Sequence, residues 1–250
     1  MLSFIVNALT MWQTQHMAEP HTTTAGSIRS RVRAEMTEEI KAIARRHLAA
    51  DGANLSLRAV ARDMGMVSSA LYRYFPSRDD LLTALILDAY NAIADAVERA
   101  DAAVDQADLR GRWLSACHAI RRWALANPSE YALLYGTPVP DYKAPRDTTA
   151  AAIRTTAVFG RLLRDGVASG RLAARPGERL PRGVRADMRR LRGTEAFDVP
   201  EPVLARGMTG WVHVFGTVSF ELFGRFNTVI EEREAFFDHQ MRLIADVIGF

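Results

Sequence analysis

Between Ser56 and Arg78 the chain sets hydroxyl, phenol and guanidinium groups at close spacing: Ser56, Ser68, Ser69, Tyr72, Arg73, Tyr74 and Arg78. Hydrogen-bond donors of this kind, presented together, suit phosphate oxygens and base edges. Signatures of bond-making chemistry are missing elsewhere. There is no Gly-rich phosphate loop, no HExxH, no GxSxG and no carboxylate pair in a cleft-like setting, so an enzyme is not expected. The one cysteine, Cys117, excludes a disulfide scaffold and a cysteine-based zinc site. No metal and no cofactor is expected.

The elements that must carry those donors are helices. Period-two alternation is nearly absent, and apolar residues recur at helical spacing, which predicts an all-α fold. Ile40, Ile43, Ala44 and Leu48 share one face of a first helix that Gly52 stops. Ser56 is placed to cap a short second helix, Leu57 to Met64, closed by Gly65. A third runs from Ser68 to about Phe75 and ends at Pro76. Ser77, with Asp80 three residues on, opens a fourth whose face is Leu82, Leu85, Ile86, Ala89, Ile93 and Val97. Two short helices with a glycine turn between them form a helix-turn-helix, whose second helix enters a DNA major groove. Ala61 stands where the helices approach closely, and Gly65 where the turn favours positive φ. Val60, Leu71 and Phe75 hold the second helix to the scaffold, leaving Ser68, Ser69, Ala70, Tyr72, Arg73 and Tyr74 outward.

The runs LAADGANLSLRAVARDMGM (Leu48 to Met66) and ALYRYFPSRDDLL (Ala70 to Leu82) resemble the DNA-binding segment of TetR-type (TetR/AcrR) transcriptional regulators. That resemblance implies phosphate contacts for Ser56, Tyr72, Tyr74 and Arg78, and base-edge reading around Ser68, Ser69, Ala70 and Arg73. Where the family usually carries Ser or Thr, this chain has Val67, so Ser68 is expected to take over the cap and move the helix start by one residue. Arg29, Arg31 and Arg33 precede the first helix either as a solvated tail or as an arm into the minor groove.

Beyond the fourth helix, a block from Leu109 to Asn127-Pro128 is followed by a rigid crossing at Pro138, Pro140 and Pro145, then by a helix over 146–169. Gly170 to Pro202 is rich in Gly, Pro and Arg, with one short helix near Arg185 to Leu191. Its Arg171–Arg192 portion holds eight arginines against Glu178 and Asp187, although the whole chain is only +3. A solvated loop is the simplest account of it, and a surface that meets nucleic acid or an acidic partner is the alternative. Two long helices, 203–226 and 229–248, close the chain and are apolar nearly all round. NPSEYALLYGTPVP (Asn127 to Pro140) and GWVHVFGTVSFELFGRF (Gly210 to Phe226) resemble a TetR subgroup named for a Trp-His-Gly motif in its C-terminal domain. Here Val212 separates Trp211 from His213.

Helices apolar all round need cover on two sides. Trp211, Phe215, Val218 and Leu222 form one stripe; Val212, Gly216, Ser219 and Phe223 form another. One stripe against a symmetry mate predicts a homodimer, with Phe215, Val218, Leu222, Phe237, Ile244 and Ile248 as the interface residues. Trp113, Cys117, Tyr131, Tyr135, Phe159 and Trp211 are the candidates for lining an effector pocket, although each fits plain core as well.

The 250 residues and ordinary apolar fraction are enough to bury a core. The organisation expected is a disordered extension over 1–28, a helix-turn-helix domain over 29–80 and a larger helical effector-binding and dimerisation domain over 81–250. Met1 to Trp12 lacks the basic start and cleavage pattern of a signal peptide, and Met208 to Phe226 is interrupted by His213, Glu221 and Arg225. No membrane association is expected, and the location expected is cytoplasmic. The family resemblance implies a ligand-responsive repressor that binds a palindromic double-stranded DNA operator as a dimer and is released by an unidentified small apolar effector. The competing expectation is a dimeric small-molecule or protein-binding module with little DNA binding.

Overall fold

The computed structural model describes residues 24–51, 55–145, 147–193 and 197–250, and among them it contains helices and no strand. The helices are α1 (Thr24–Asp51), α2 (Leu57–Asp63), α3 (Ser68–Leu71), α4 (Arg78–Ala102) and α5 (Leu109–Ala126). They continue as α6 (Pro128–Tyr135), α7 (Asp147–Ala168), α8 (Arg182–Arg192), α9 (Glu201–Leu222) and α10 (Arg233–Ile248). No described helix is long and apolar enough to cross a membrane. Of the described residues, those up to Ala89 with Pro128–Thr148 form one compact unit, and Tyr90–Asn127 with Thr149–Phe250 form a second.

The first unit is built on the apolar spacing seen in the sequence. Ile40, Ile43 and Ala44 of α1 meet Leu57, Val60 and Ala61 of α2, together with Leu71, Phe75 and the α4 residues Leu81, Leu82 and Leu85. Charge reinforces the contact of α1 with α4. Lys41 is buried and pairs with Asp88 at 2.8 Å, and Arg45 reaches the same carboxylate at 2.6 Å. Burial by itself would depress the Lys41 ammonium, but hydrogen bonds to Asp88 and Glu38 outweigh it and raise its pKa above the usual lysine value.

Three elements differ from expectation. Thr24 already belongs to α1, so the helix starts inside the segment expected to be an extension; residues 1–23 lie outside those described. Arg29, Arg31 and Arg33 are therefore helical residues and neither tail nor arm. No Gly or Pro interrupts 28–51, which is the signal that favoured a continuous helix. Second, α6 occupies a stretch expected to be a connection. Pro128 sits at its first position, where a missing N–H costs nothing, so the proline starts a helix as well as ending one. Third, α10 begins at Arg233 and not at Val229, because the turn after α9 takes Gly224 and Thr228 into positive φ before the next helix can start.

In the second unit α5 is the helix to which the others are fastened. Buried Arg112 forks onto Asp101 at the end of α4 (2.8 and 3.3 Å) and also reaches Asp165 of α7 at 2.8 Å. Trp113 donates its indole N–H to the Met241 carbonyl of α10 at 2.9 Å. Arg121 makes two bonds to Glu221 of α9, 2.8 and 2.7 Å long, with its guanidinium 5.7 Å above the Phe237 ring. Gly210 marks a close approach of α9 to α5 and α10. A Cβ there would stand 2.8 Å from both Trp113 and Ile248, closer than real carbons come.

Candidate nucleic-acid interface

The geometry of α2, the turn and α3 is set by a few local devices. Ser56 has extended dihedrals and its hydroxyl accepts from the Ala59 amide at 3.5 Å, a long N-cap. At the other end, the Met66 amide returns to the Ala61 carbonyl at 2.9 Å. Gly65 between them has φ of 65°, with open space around its Cβ position, so backbone conformation alone demands glycine there. Fully buried Ala61 lets the two helices approach.

α3 starts at Ser68, with Val67 in the cap position (φ −70°, ψ 139°) and no side chain bonding to the first amides. Ser68 is thus the first helical residue and does not take over the cap. The α-helix is also shorter than expected. Past Leu71 it loosens into turns, in which Tyr74 and Phe75 both donate to the Leu71 carbonyl, before Pro76 ends it. Ser77 then caps α4 through the Asp80 amide at 3.1 Å and donates to the Asp80 carboxylate at 2.7 Å.

This geometry sorts the predicted contacts. Ser56, Ser69, Tyr72 and Arg73 are exposed, Tyr72 by 43%, while Ser68 and Ala70 are half-buried on the same helix. Tyr74, expected outward, is half-buried against the core of the first unit. Its ring lies 5.1 Å beneath the Arg33 guanidinium, which also donates to the Arg73 carbonyl at 2.9 Å. Arg78 is half-buried and its Nε donates to the Leu55 carbonyl at 3.1 Å, one residue before the Ser56 cap. Tyr74 and Arg78 are therefore tied to neighbouring elements of their own unit while keeping part of their surface in solvent. Arg58 and Arg62, not singled out from the sequence, are exposed on α2. Their charge within a basic stretch was the available signal. His47 of α1 reaches Asp63 at the end of α2 at 2.6 Å, and that bond holds the Asp63 carboxyl below its usual pKa.

The residues proposed for an effector pocket fall into two groups. Trp113, Phe159 and Trp211 form a chain of edge contacts, 5.4 and 5.7 Å between ring centres, that continues at 4.3 Å to Phe215. Cys117 is wholly buried, and burial pushes its thiol well above the usual pKa. Tyr131 and Tyr135, 5.0 Å apart, belong to the first unit and not to this cluster. A groove of about 630 Å³ lies elsewhere in the second unit, along the outer face of α9 between α8 and α10.

Of the residues expected at a dimer interface, Phe215, Val218, Phe237, Ile244 and Ile248 are buried inside their own chain, and Leu222 is half-buried. They have little surface left for a partner. Of the other stripe of α9, Val212 (61%), Gly216 and Phe223 are exposed and Ser219 is half-buried, while Phe220 (54%), which was in neither stripe, is exposed beside them. Leu243 and Val247 extend it on α10. The inward stripe won because α5 lies against it.

Residues 40–85 match the family model for bacterial regulatory proteins of the tetR family. Residues 113–244 match the one for the tetracyclin repressor-like C-terminal domain. The chain is 38% identical over 226 residues to HTH-type transcriptional regulators of Mycobacterium tuberculosis (Rv1816) and Mycobacterium bovis (Mb1846), covering 87% of this chain and 94% of theirs. It is similar to the crystal structure of SCO4313, with a TM-score of 0.71 and 34% identity over 87% of this chain and 98% of that one. The TetR-family regulator PfmR from Thermus thermophilus shares the fold at a TM-score of 0.55 and 17% identity, over 84% of this chain and 96% of that one.

Proposed function

The chain belongs to the TetR family of bacterial transcriptional regulators, a DNA-binding regulator and not an enzyme, and from that premise we propose that it is a ligand-responsive repressor. Two copies bind a palindromic operator, each laying α3 in a major groove. A small apolar molecule taken up by the second unit changes the separation of the two recognition helices and releases the DNA. Half-sites lie about one helical turn, or a multiple, apart, so a modest change of separation disengages both copies together.

The observation that carries this reading is the exposed row made by Ser69 on α3 with Tyr72 and Arg73 in the turn that follows it, a turn whose backbone Arg33 holds at the Arg73 carbonyl. Donors on a braced element bind at lower ordering cost than donors on a loose one. The dimer is supported by the apolar stripe through Val212, Gly216 and Phe220, a patch of a kind that monomers seldom leave in water. The ring chain of Trp113, Phe159 and Trp211 supplies the apolar wall for an effector, its indoles serving as reporters.

A gel shift with the DNA upstream of the protein's own gene tests the reading. A retarded band that appears cooperatively, and that an unrelated fragment fails to compete away, supports it. Equal affinity for both fragments would sink it.

A further inference from the structure

α8 has no part in the function so far assigned to the chain. It is strongly two-faced. Met188 and Leu191 are buried against the unit, while Arg182, Arg185, Arg189, Arg190 and Arg192 point to solvent. At its C-terminal end Arg189 and Arg192 approach Glu201 of α9, and Arg192 also pairs with Asp198 at 3.0 Å. Arg182, Arg185 and the preceding Arg179 make no ion pair among the described residues. A matching anionic pair stands at the other end of α9. Glu231 and Glu232, exposed just before α10, have no cationic partner within 4 Å among the described residues.

Between these two clusters runs the groove, whose floor is the outer face of α9. Val184 and Met188 of α8 form one wall beside Ala205 and Met208, and Phe236 and Gln240 of α10 form the other beside His213. The stripe Val212, Gly216, Phe220 repeats every fourth residue along the floor. Gly216 at its middle has nothing within 4 Å of its Cβ position, so another helix can come close there. Such a stripe is complementary to itself. If two copies of α9 cross antiparallel with the twofold axis at Gly216, Phe220 of each meets Val212 of the other, since both are four residues from the axis.

The same rotation settles what α8 faces. α8 flanks the N-terminal half of α9 on the side opposite to α10. Turning the second copy by half a revolution brings the start of its α10 to the flank that α8 occupies. We propose that α8 is a clasp on the second copy: its Arg182 and Arg185 pair with Glu231 and Glu232 of the partner subunit, while the partner's Phe220 enters the groove beside Val184 and Met188. The occupant is thus a second copy of this chain. Each element contributes twice by symmetry, so the clasp adds four charge pairs at the rim of an apolar seam. Complementary charges at such a rim set which chains can pair, more than how tightly they do. This inference rests on the dimer proposed above.

Sedimentation velocity at low and high salt tests both layers separately. The wild-type protein is expected to be a dimer that weakens as salt rises, and Phe220→Glu to give folded monomers. Arg182→Glu with Arg185→Glu should weaken dimerisation about tenfold at low salt, as should Glu231→Arg with Glu232→Arg, a size fitting several exposed ion pairs lost together. Mixing the two charge-reversed proteins places opposite charges at every clasp contact and should restore wild-type affinity as a mixed dimer. Circular dichroism checks that each variant is folded. A monomeric wild type overturns the dimer and the clasp together. A wild-type dimer whose charge-reversed variants self-associate unchanged, or whose mixture fails to recover affinity, overturns the clasp and leaves the dimer standing.

Discussion

Arg33 of α1 donates a 2.9 Å hydrogen bond to the carbonyl oxygen of Arg73, forty residues away, and rests its guanidinium over the neighbouring Tyr74 ring. The bond ties the turn after α3 to the longest helix of the unit, so the side chain of Arg73 projects from a fixed backbone. An arginine suits the position because its planar fork can stack and donate at once, which an ammonium does poorly.

Arg33→Ala is therefore expected to lower operator affinity several-fold while leaving the apparent number of salt-sensitive contacts unchanged, because Arg33 acts through the position of Arg73. Arg33→Lys should recover only part of the loss. Fluorescence anisotropy across a salt series makes the check, and a salt slope that falls by about one per subunit would instead put Arg33 directly on a phosphate.

Tyr72 and Tyr74 are expected to behave differently despite their spacing. Tyr72→Ala, at an exposed position, should weaken binding to specific and unrelated DNA alike with little change in melting temperature. Tyr74→Ala removes a half-buried ring from the core and should cost about 1–3 kcal/mol of stability. Arg73→Ala should relax sequence preference at one base pair per half-site and cost about 1–3 kcal/mol against the preferred base. Thermal melts beside a binding-site selection separate the three.

The Arg121–Glu221 pair is buried on both sides, so removing one partner leaves an uncompensated charge. Glu221→Leu or Arg121→Met is expected to destabilise the second unit by about 3–5 kcal/mol, whereas Arg121→Met combined with Glu221→Leu should recover much of that loss. Denaturant unfolding of the two singles and the double forms the cycle. A double variant as weak as the sum of the singles would mean that the pair matters through shape and not charge.

Asp238 supplies the pH dependence. The hydrogen bond from Arg242, and then that from His118, hold its carboxyl below the usual aspartate pKa. A carboxyl depressed in the folded state contributes stability that is fully present above its unfolded pKa. That contribution is lost as pH falls through the lowered folded value. Acid unfolding of Asp238→Asn should accordingly be less steep than that of the wild type below the ordinary carboxylate range, with the two curves parallel near neutrality.

What the sequence alone determined is local in origin. Ser56, Gly65 and Pro76 each act on their own backbone or a few residues away, by capping, by permitting positive φ, or by refusing a helix. They placed the helix-turn-helix to within a few residues. The apolar faces of α1 and α4 were equally legible, because each has one apolar side. The tertiary structure decided where several answers satisfied the same local rule. Tyr72 and Tyr74 are both aromatic and two residues apart, and only the core beneath α3 and the reach of Arg33 separate the exposed ring from the braced one. α9 is apolar on two sides, so periodicity could not say which stripe faces inward. That was settled by α5, whose Trp113 indole is bonded to α10 and stands close against Gly210, drawing Phe215 and Val218 into the chain and leaving Val212, Gly216 and Phe220 outside.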